Sequence, residues 1–348
     1  MRLGTRALVK QLGAYLRRNR RTAAFRESRG RFRRKYSRLW TQLSLRWRTI
    51  HPPSSSELRL IAELRKSIRA LPEPPVDNNL ESHAWNTFRR TLSKSILSND
   101  PRAFLSWEVI RQSMFVGEPG YVRLELDRLR DTREWSPRWE RAIEEADIGM
   151  PTRISAYRRT SGNLVHHAFV LNEFETKAAC RVEELKMVVE FGGGYGAMCR
   201  LFHNLGFAGR YVIYDLPEFS ALQSYYLGSL GLPVIKDSEN LSTPEGVFCV
   251  SALSALGELC VGQPIDLLVG TWSISEAPVA VREAFFAELP IVRRYLFAFQ
   301  PNHGGVDNIT YFASWARRDP EMTVTDQPIE HWPVASHLFV GIRNGLVD

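Results

Sequence analysis

The sequence contains few cysteines and no long uninterrupted apolar segment. Its 348 residues include four cysteines, none in a Cys-x-x-Cys pair, which predicts free thiols and gives no support to a disulfide framework or a zinc site. The four are Cys180, Cys199, Cys249 and Cys260. No stretch approaches the roughly 20 apolar residues that a membrane-spanning helix needs. We therefore expect a cytoplasmic globular protein.

Acidic residues are almost absent from the first 50 positions. That segment holds 16 Lys or Arg and one acid, Glu27, so a basic arm precedes a mildly acidic body. Apolar residues recur in it at helical spacing: Leu8, Leu12, Tyr15 and Leu16. A basic amphipathic helix of this kind suits an anionic membrane surface, and we expect peripheral membrane contact. A solvated arm and a transit peptide are alternatives, and nucleic-acid binding is less favoured because no base-reading motif accompanies the charge.

The rest of the chain changes character near residue 150. Residues 51–150 carry helical apolar patterns between proline-rich breakers, and we expect a helical module there. In residues 151–348, short apolar runs alternate with helical patterns, which predicts an α/β parallel sheet with helices on both faces. The runs lie at residues 187–191, 211–214, 247–250, 265–269, 295–299 and 338–342.

The first of these runs leads into a glycine-rich turn. Residues 187–196 read MVVEFGGGYG, and a helical pattern follows directly. A short apolar run without alternation is typical of a buried parallel strand, and glycines allow the backbone to approach a ligand closely. Backbone N–H groups at the start of the following helix are free to face that ligand. The alternative is a strand-to-helix turn that binds nothing.

Acidic residues close the first two predicted strands. Glu190 ends the first, and Asp215 ends the second, where a carboxylate can accept hydrogen bonds from ribose hydroxyls. The glycines fall as E-x-G-x-G-x-G rather than as the dinucleotide pattern G-x-G-x-x-G, because Cys199 stands where the last glycine would be. This register, together with the lack of a recognisable Tyr-x-x-x-Lys pair, argues against a nicotinamide-dependent oxidoreductase. A non-catalytic cofactor-binding subunit is the other alternative.

The glycine pattern resembles motif I of class I S-adenosylmethionine-dependent methyltransferases. Over residues 80–345 the chain is similar to the sugar O-methyltransferases of bacterial polysaccharide clusters. The stretches that carry this similarity are Trp85 and Phe88, Gly162-Asn163, EFGGGYG, IYDLPE with the Gln223-Ser-Tyr-Tyr-Leu that follows it, and Trp272-Ser-Ile-Ser-Glu276. The resemblance implies a Rossmann-like seven-stranded sheet, preceded by the helical module, whose last strand near His337–Arg343 is antiparallel. It further implies polysaccharide biosynthesis, with S-adenosylmethionine as the methyl donor and a hydroxyl of a sugar or glycan, free or lipid-linked, as the acceptor.

The resemblance also assigns a cofactor site along the strand ends. By this likeness the loop after strand one binds the methionine part, Asp215 binds the ribose, and the segment after strand three contributes Ser251 and Ala252 where the family commonly has an acid. The complete predicted cofactor set is Glu190, Gly192, Gly193, Gly194, Tyr195, Gly196, Asp215, Leu216, Ser251, Ala252, Thr271 and Trp272.

Methyl transfer to a hydroxyl needs alignment, exclusion of water and a base. His303, after strand five, and Glu276, after strand four, are the predicted catalytic residues, since a neutral imidazole is available near pH 7. Glu276 could instead hold sugar hydroxyls. The predicted substrate-binding residues are His166, His167, Ser275, Asp307 and Asn308. Glu276, His303 and Asp307 could also meet around a metal ion, but no ligand spacing demands it and no metal is predicted.

Overall fold

The computed structural model describes residues 52–74, 80–114, 116–236, 243–332 and 334–345. The basic arm predicted for residues 1–50, with its expected membrane contact, lies outside the described residues. Within the described ranges, no helix has both the length and the apolar character needed to cross a membrane.

The described elements between residues 52 and 142 are all helical. They are α1 (Ser55–Ala70), α2 (Leu80–Ser98), a 3₁₀ segment (Pro101–Ser106), α3 (Glu108–Ser113), α4 (Gly120–Arg130), a π turn (Trp135–Trp139) and α5 (Glu140–Ala142). The proline-rich breakers flank α1. The Ser54 side chain accepts a hydrogen bond from the Glu57 N–H, and the Glu57 side chain accepts one from the Ser54 N–H. This reciprocal cap satisfies two backbone donors at the start of the helix.

In the described residues after this point, nine strands, seven α-helices and a short 3₁₀ segment (Val182–Glu184) follow. The strands are β1 (Met187–Phe191), β2 (Arg210–Tyr214), β3 (Gly246–Val250), β4 (Leu267–Thr271), β5 (Arg294–Phe299), β6 (Asn302–His303), β7 (Val306–Asp307), β8 (Met322–Pro328) and β9 (His337–Arg343). The helices are α6 (Gly162–Ala178), α7 (Ala197–Asn204), α8 (Pro217–Ser229), α9 (Leu253–Cys260), α10 (Ser273–Glu276), α11 (Val279–Ala287) and α12 (Asn308–Arg317).

Seven strands form one sheet in the order β3-β2-β1-β4-β5-β9-β8. Strands β1 to β5 pair with one another in parallel, and β9 runs antiparallel to both β5 and β8. The expected Rossmann-like seven-stranded sheet with an antiparallel strand at His337–Arg343 is therefore confirmed. Strand β8 was not predicted from the apolar runs. It lies at the edge of the sheet and alternates half-buried with exposed residues, so it contains no continuous apolar run.

The core has two parts, because successive residues of each strand point to opposite faces of the sheet. On β1, Val188 packs into one cluster of buried residues and Val189 into the other. The first cluster also contains Leu64 of α1 and Phe104, so the early helices share a core with the sheet. The core is thus continuous across residue 150, and the division into a helical module and a catalytic domain stays a prediction.

Candidate functional site

A cavity of about 710 Å³ opens at the carboxyl ends of the central strands. The last residues of β1, β2 and β4, which are Phe191, Tyr214 and Thr271, all line it. Ligands of open α/β sheets bind at this edge, where the strand order reverses between β1 and β4. Helix α2 closes the cavity from the opposite side with Trp85 and Arg89.

The glycine loop forms the floor of the cavity. Gly192, Gly194 and Gly196 have φ angles of 70°, 60° and 96°, a region that other residues adopt only with strain. At Gly192 an added Cβ would lie 2.4 Å from the Cβ of Ser273. The loop therefore requires glycine for its backbone conformation and for its packing. Gly192, Gly193, Gly194 and Tyr195 line the cavity, whereas Gly196, the N-cap residue just before α7, does not.

Asp215, at the end of β2, is joined to the glycine loop by Gln223 of α8. The Gln223 Nε2 donates to the Asp215 Oδ2 at 2.7 Å and to the Gly194 carbonyl oxygen at 3.0 Å. Burial raises the pKa of Asp215 to about 7, although hydrogen bonds from the Leu216 N–H and from Gln223 lower it. The Gln223 Oε1 is buried and has no partner among the described residues. This bridge fixes the distance between the loop and the acid.

Glu190 lies beneath the same loop. Its side chain lines the cavity, yet the residue is only 2% exposed. The Tyr211 hydroxyl donates to its Oε2 at 3.0 Å, but burial dominates and raises the pKa of Glu190 to about 8. Close to neutral pH this carboxyl is therefore protonated in much of the unliganded protein.

The segment after β4 carries Trp272 in an unusual backbone conformation. Its φ of 63° and ψ of −44° are sparsely populated for any residue with a side chain. The buried Ser275 hydroxyl donates to the Trp272 carbonyl oxygen at 2.7 Å, and Arg282 donates to the carbonyl oxygens of Ser275 and Ala277, each at 2.7 Å. These bonds hold the turn that presents Trp272 to the cavity.

Glu276 follows on the same turn and lines the cavity. Burial raises its pKa to about 7. Within the described ranges, no hydrogen bond or ion pair reaches its carboxylate. A half-buried carboxyl with this pKa can exchange a proton near neutral pH.

Two adjacent histidines of α6 form another wall. The His166 Nδ1 lies 3.0 Å from both carboxylate oxygens of Glu125, and the ring centroid lies 4.7 Å from that of Trp272 and 4.3 Å from that of Trp332. His167 is next to it, and its burial lowers the pKa of that imidazole to about 3. Among the described residues, the His166 Nε2, the His167 Nδ1 and the Trp272 Nε1 are buried without hydrogen-bond partners.

Several predicted site residues lie elsewhere. The predicted base His303 is on the β6–β7 hairpin and does not line the cavity, because the chain turns away after β5. Asp307 is exposed and caps α12 by accepting from the Thr310 N–H. Asn308 is buried and hydrogen-bonds Arg282 and the Gln300 carbonyl oxygen. Ala252 does not line the cavity.

Asp307 and Asn308, which were predicted to bind substrate, therefore lie outside the cavity, and Ser275 is wholly buried in the turn of Trp272. The part of the chain that the structure describes also brings together no group of three His, Cys, Asp or Glu side chains that could hold a metal ion. The remaining predicted residues line the cavity: Glu190, Gly192, Gly193, Gly194, Tyr195, Asp215, Leu216, Ser251, Thr271, Trp272, Glu276, His166 and His167.

Some cavity residues escaped the sequence patterns. Trp85 reads as part of an apolar stripe, Arg89 as a charge on a solvated face, and Trp332 as an isolated aromatic. Glu125 reads as an acid in an amphipathic helix, and only its burial beside His166 distinguishes it. Gln223 lies within a stretch on which the family resemblance rests, and this resemblance could have identified it as a site residue.

Comparison with protein-family profiles and with curated protein sequences gives no match. Among solved structures, this chain is similar to the magnesium protoporphyrin IX methyltransferase from Synechocystis with bound SAM, at 14% identity and a TM-score of 0.36, with 66% of this chain and 100% of that chain covered. It is similar to the precorrin-6y C5,15-methyltransferase from Geobacter metallireducens at 12% identity and a TM-score of 0.37, over 58% and 98% of the two chains. It is also similar to an rRNA methylase from Streptococcus thermophilus, at 14% identity and a TM-score of 0.33, with 47% of this chain and 91% of that chain covered. At these identities and scores, the likenesses assign neither substrate nor cofactor to this chain.

Proposed function

We propose that this protein binds S-adenosylmethionine and transfers its methyl group to a hydroxyl of a sugar or glycan. One observation carries the proposal: the glycine loop after β1 and the Asp215 carboxylate after β2 line one cavity and are joined through Gln223. The loop brings backbone close to a ligand, and the acid beside it accepts hydrogen bonds from ribose hydroxyls.

The residues of the cavity suit this cofactor in charge as well as in shape. Glu190, Asp215 and Glu276 are carboxyls whose pKa values burial raises, and a cation in the cavity favours the ionised form of each. Leu216 and Ser251 also line the cavity, and in this proposal they would contact the adenine base. When bound, S-adenosylmethionine supplies a methyl group already activated on a positively charged sulfur. The protein then has to orient the acceptor, exclude water and remove one proton.

Buried polar atoms of three residues that line the cavity support a hydroxyl-bearing acceptor. Buried polar groups in folded proteins are almost always hydrogen-bonded, yet three such atoms of His166, His167 and Trp272 lack partners among the described residues. All three residues line the cavity, and Glu276 adds a carboxyl without a partner in the described part of the chain. An acceptor with several hydroxyls can satisfy these groups together, as a sugar would.

Cofactor choice is tested by calorimetry of the purified protein with S-adenosylhomocysteine and, separately, with NAD. We expect binding of the first and none of the second, and heat from NAD alone would overturn the proposal. Gly194→Asp should abolish binding, because a side chain would enter the cavity from a backbone with φ of 60°. Gly305→Asp is the matched control: it has φ of 80°, has open space around it and lies outside the cavity.

The acceptor is tested with methyl-labelled S-adenosylmethionine and three sets of probes: free hexoses and deoxyhexoses, nucleotide-linked sugars, and lipid-linked glycans. Mass spectrometry should show a gain of one methyl group on one set. Methylation of a non-sugar hydroxyl, with none of the sugars modified, would replace the acceptor class. Binding of S-adenosylhomocysteine without any methyl transfer would favour a non-catalytic subunit.

A lipid-linked acceptor would give the basic arm a role in polysaccharide biosynthesis at a membrane. Residues 1–50 carry 16 basic side chains, and each adds attraction to an anionic surface. Pelleting with anionic liposomes should be lost on deletion of residues 1–45. Equal pelleting of both proteins would remove this part of the proposal and leave the methyl-transfer assignment intact.

A further inference from the structure

Glu125 of α4 is a buried carboxylate at the junction of three parts of the chain. It is 0% exposed, and its oxygens lie 3.0 Å from the His166 Nδ1, 3.1 Å from the His331 Nε2 and 2.9 Å from the Trp332 Nε1. Burial acts to raise its pKa, but the charge of His166 when that ring is protonated, together with the three hydrogen bonds, outweighs it and leaves the pKa of Glu125 below its ordinary value. The Trp332 Nε1 can only donate, and the Arg128 guanidinium beside the His331 Nδ1 makes the His331 Nε2 a donor too, so Glu125 is an acceptor whichever charge His166 carries.

This carboxylate determines which nitrogen of His166 carries the proton. Because an ionised carboxylate has no proton to give, the His166 Nδ1 must be the donor in their contact. In the neutral ring, the Nε2 on the other side then presents a lone pair. That Nε2 is buried and has no hydrogen-bond partner in the described part of the chain, and the residue lines the cavity.

His166 is also held more firmly than the other candidate base. Its ring packs against Trp272 and Trp332, and its Nδ1 is tied to Glu125, whereas Glu276 has no such orienting contact within the described ranges. A base that another group orients loses less entropy when it reacts, which is the arrangement found in nucleophile–base–orienter sites. The two side chains line one cavity, so they can serve one acceptor in different roles.

We propose that His166 is the base that takes the proton of the acceptor hydroxyl, that Glu125 is its positioning residue, and that Glu276 binds a neighbouring hydroxyl. This inference rests on the function proposed above. In the step, the hydroxyl O–H bond breaks and its proton forms an N–H bond at the His166 Nε2. The oxygen forms the new C–O bond to the methyl group, and the electron pair of the broken S–C bond stays on sulfur. The imidazolium that results lies against the Glu125 carboxylate, which stabilises it.

The tautomer is tested on the full chain without any acceptor. Imidazole ¹⁵N NMR of histidine-labelled protein at pH 8 should show an Nδ1-protonated ring whose signal is absent from His166→Gln. The signal of His337, whose Nδ1 also faces a carboxylate, should be present in both proteins. In Glu125→Gln the ring loses its acceptor-only partner, and the Nε2–H tautomer should appear. A wild-type His166 protonated at Nε2 would overturn the proposal.

The catalytic role is tested with the acceptor that the methyl-transfer assay identifies. His166→Ala should lower kcat by 10²-fold or more, the contribution typical of a positioned base, and added imidazole should restore part of it. Glu125→Gln should lower kcat about 10-fold with KM for the donor unchanged, and Glu125→Asp should recover part of the loss. Glu276→Gln should raise KM for the acceptor more than it lowers kcat.

A second histidine–carboxylate pair provides the control. The His337 Nδ1 lies 2.8 Å from the Asp326 Oδ1 between β9 and β8, and neither residue lines the cavity. His337→Ala should leave kcat unchanged. S-adenosylhomocysteine affinity, measured for each variant, separates loss of fold from loss of the base. The proposed function fails if the wild type transfers no methyl group, whereas the role of His166 fails if the wild type turns over and His166→Ala retains its rate.

Discussion

The buried carboxyl of Glu190 makes the stability of the unliganded protein depend on pH in a direction opposite to that of ordinary acids. Burial raises its pKa from 4.5 to about 8, so between these values the folded state holds a proton that the unfolded chain releases. Stability therefore falls as the pH rises through this window, by about 1.4 kcal/mol for each pH unit. At pH 7 the accumulated loss from this one group is about 3 kcal/mol.

Glu190→Gln removes the titration while keeping the shape and an oxygen that accepts from the Tyr211 hydroxyl. We expect the variant to exceed the wild type by about 1 kcal/mol near pH 5, where only the unfolded chain is largely ionised, and by about 3 kcal/mol near pH 7. Asp215 and Glu276 titrate in the same direction, but they do so in both proteins and cancel from the difference. Urea unfolding of both proteins at pH 5 and pH 7 measures this difference.

Glu330→Gln makes the same chemical change at an exposed position. In this control, the change in the free energy of unfolding between pH 5 and pH 7 should equal that of the wild type. A gap between the wild type and Glu190→Gln that is equal at pH 5 and pH 7 would refute the reasoning. It would mean that water or a rearranged side chain solvates the carboxylate in the folded protein, and that Glu190 is not a protonated acid beneath the glycine loop.

Three further predictions concern the loop, the hairpin and the cofactor. Gly192→Ala should lower the free energy of unfolding by about 3 kcal/mol or more in urea, because it adds a clash with Ser273 to the strain of positive φ. Gly231→Ala is the control: it has a φ of 78° and open space around it, so it should show the strain alone, about 1–2 kcal/mol. Asp307→Ala should lose a helix cap worth about 1 kcal/mol while methyl transfer continues unchanged, and a lost activity would restore its predicted role in substrate binding. Calorimetry of S-adenosylmethionine at pH 7 in phosphate and in Tris should reveal proton release, because a cation favours the ionised carboxyls; proton uptake would contradict this.

Local patterns predicted most of the sheet correctly. The strand, glycine turn and helix at residues 187–204 form where the sequence indicates them, because a buried parallel strand needs a continuous apolar run and the turn needs glycine at positive φ. Asp215 lies beside the loop for an equally local reason, since it ends the strand that pairs with β1. Strand β8 was missed because an edge strand buries too little to leave an apolar run.

The acceptor side of the cavity was less predictable. His303 follows β5, whose carboxyl end lies at the same edge of the sheet as the cavity. The residue itself lies on the β6–β7 hairpin and does not line the cavity. Glu125, His166 and Trp332 are more than 40 residues apart from one another in the chain, and no spacing rule connects them. Their meeting depends on how α4, α6 and the segment before β9 pack together.

The sequence by itself determined the sheet and the loop over which a cofactor would lie, because period, glycine placement and strand-ending acids act over a few neighbouring residues. Only the tertiary structure decided which charged groups lose their water and which polar atoms are buried without a partner among the described residues. Burial depends on residues far apart in the chain, and burial is what raises the pKa of Glu276 and pairs His166 with Glu125. The donor side of the site is thus a local property of this chain, and the acceptor side is a property of its packing.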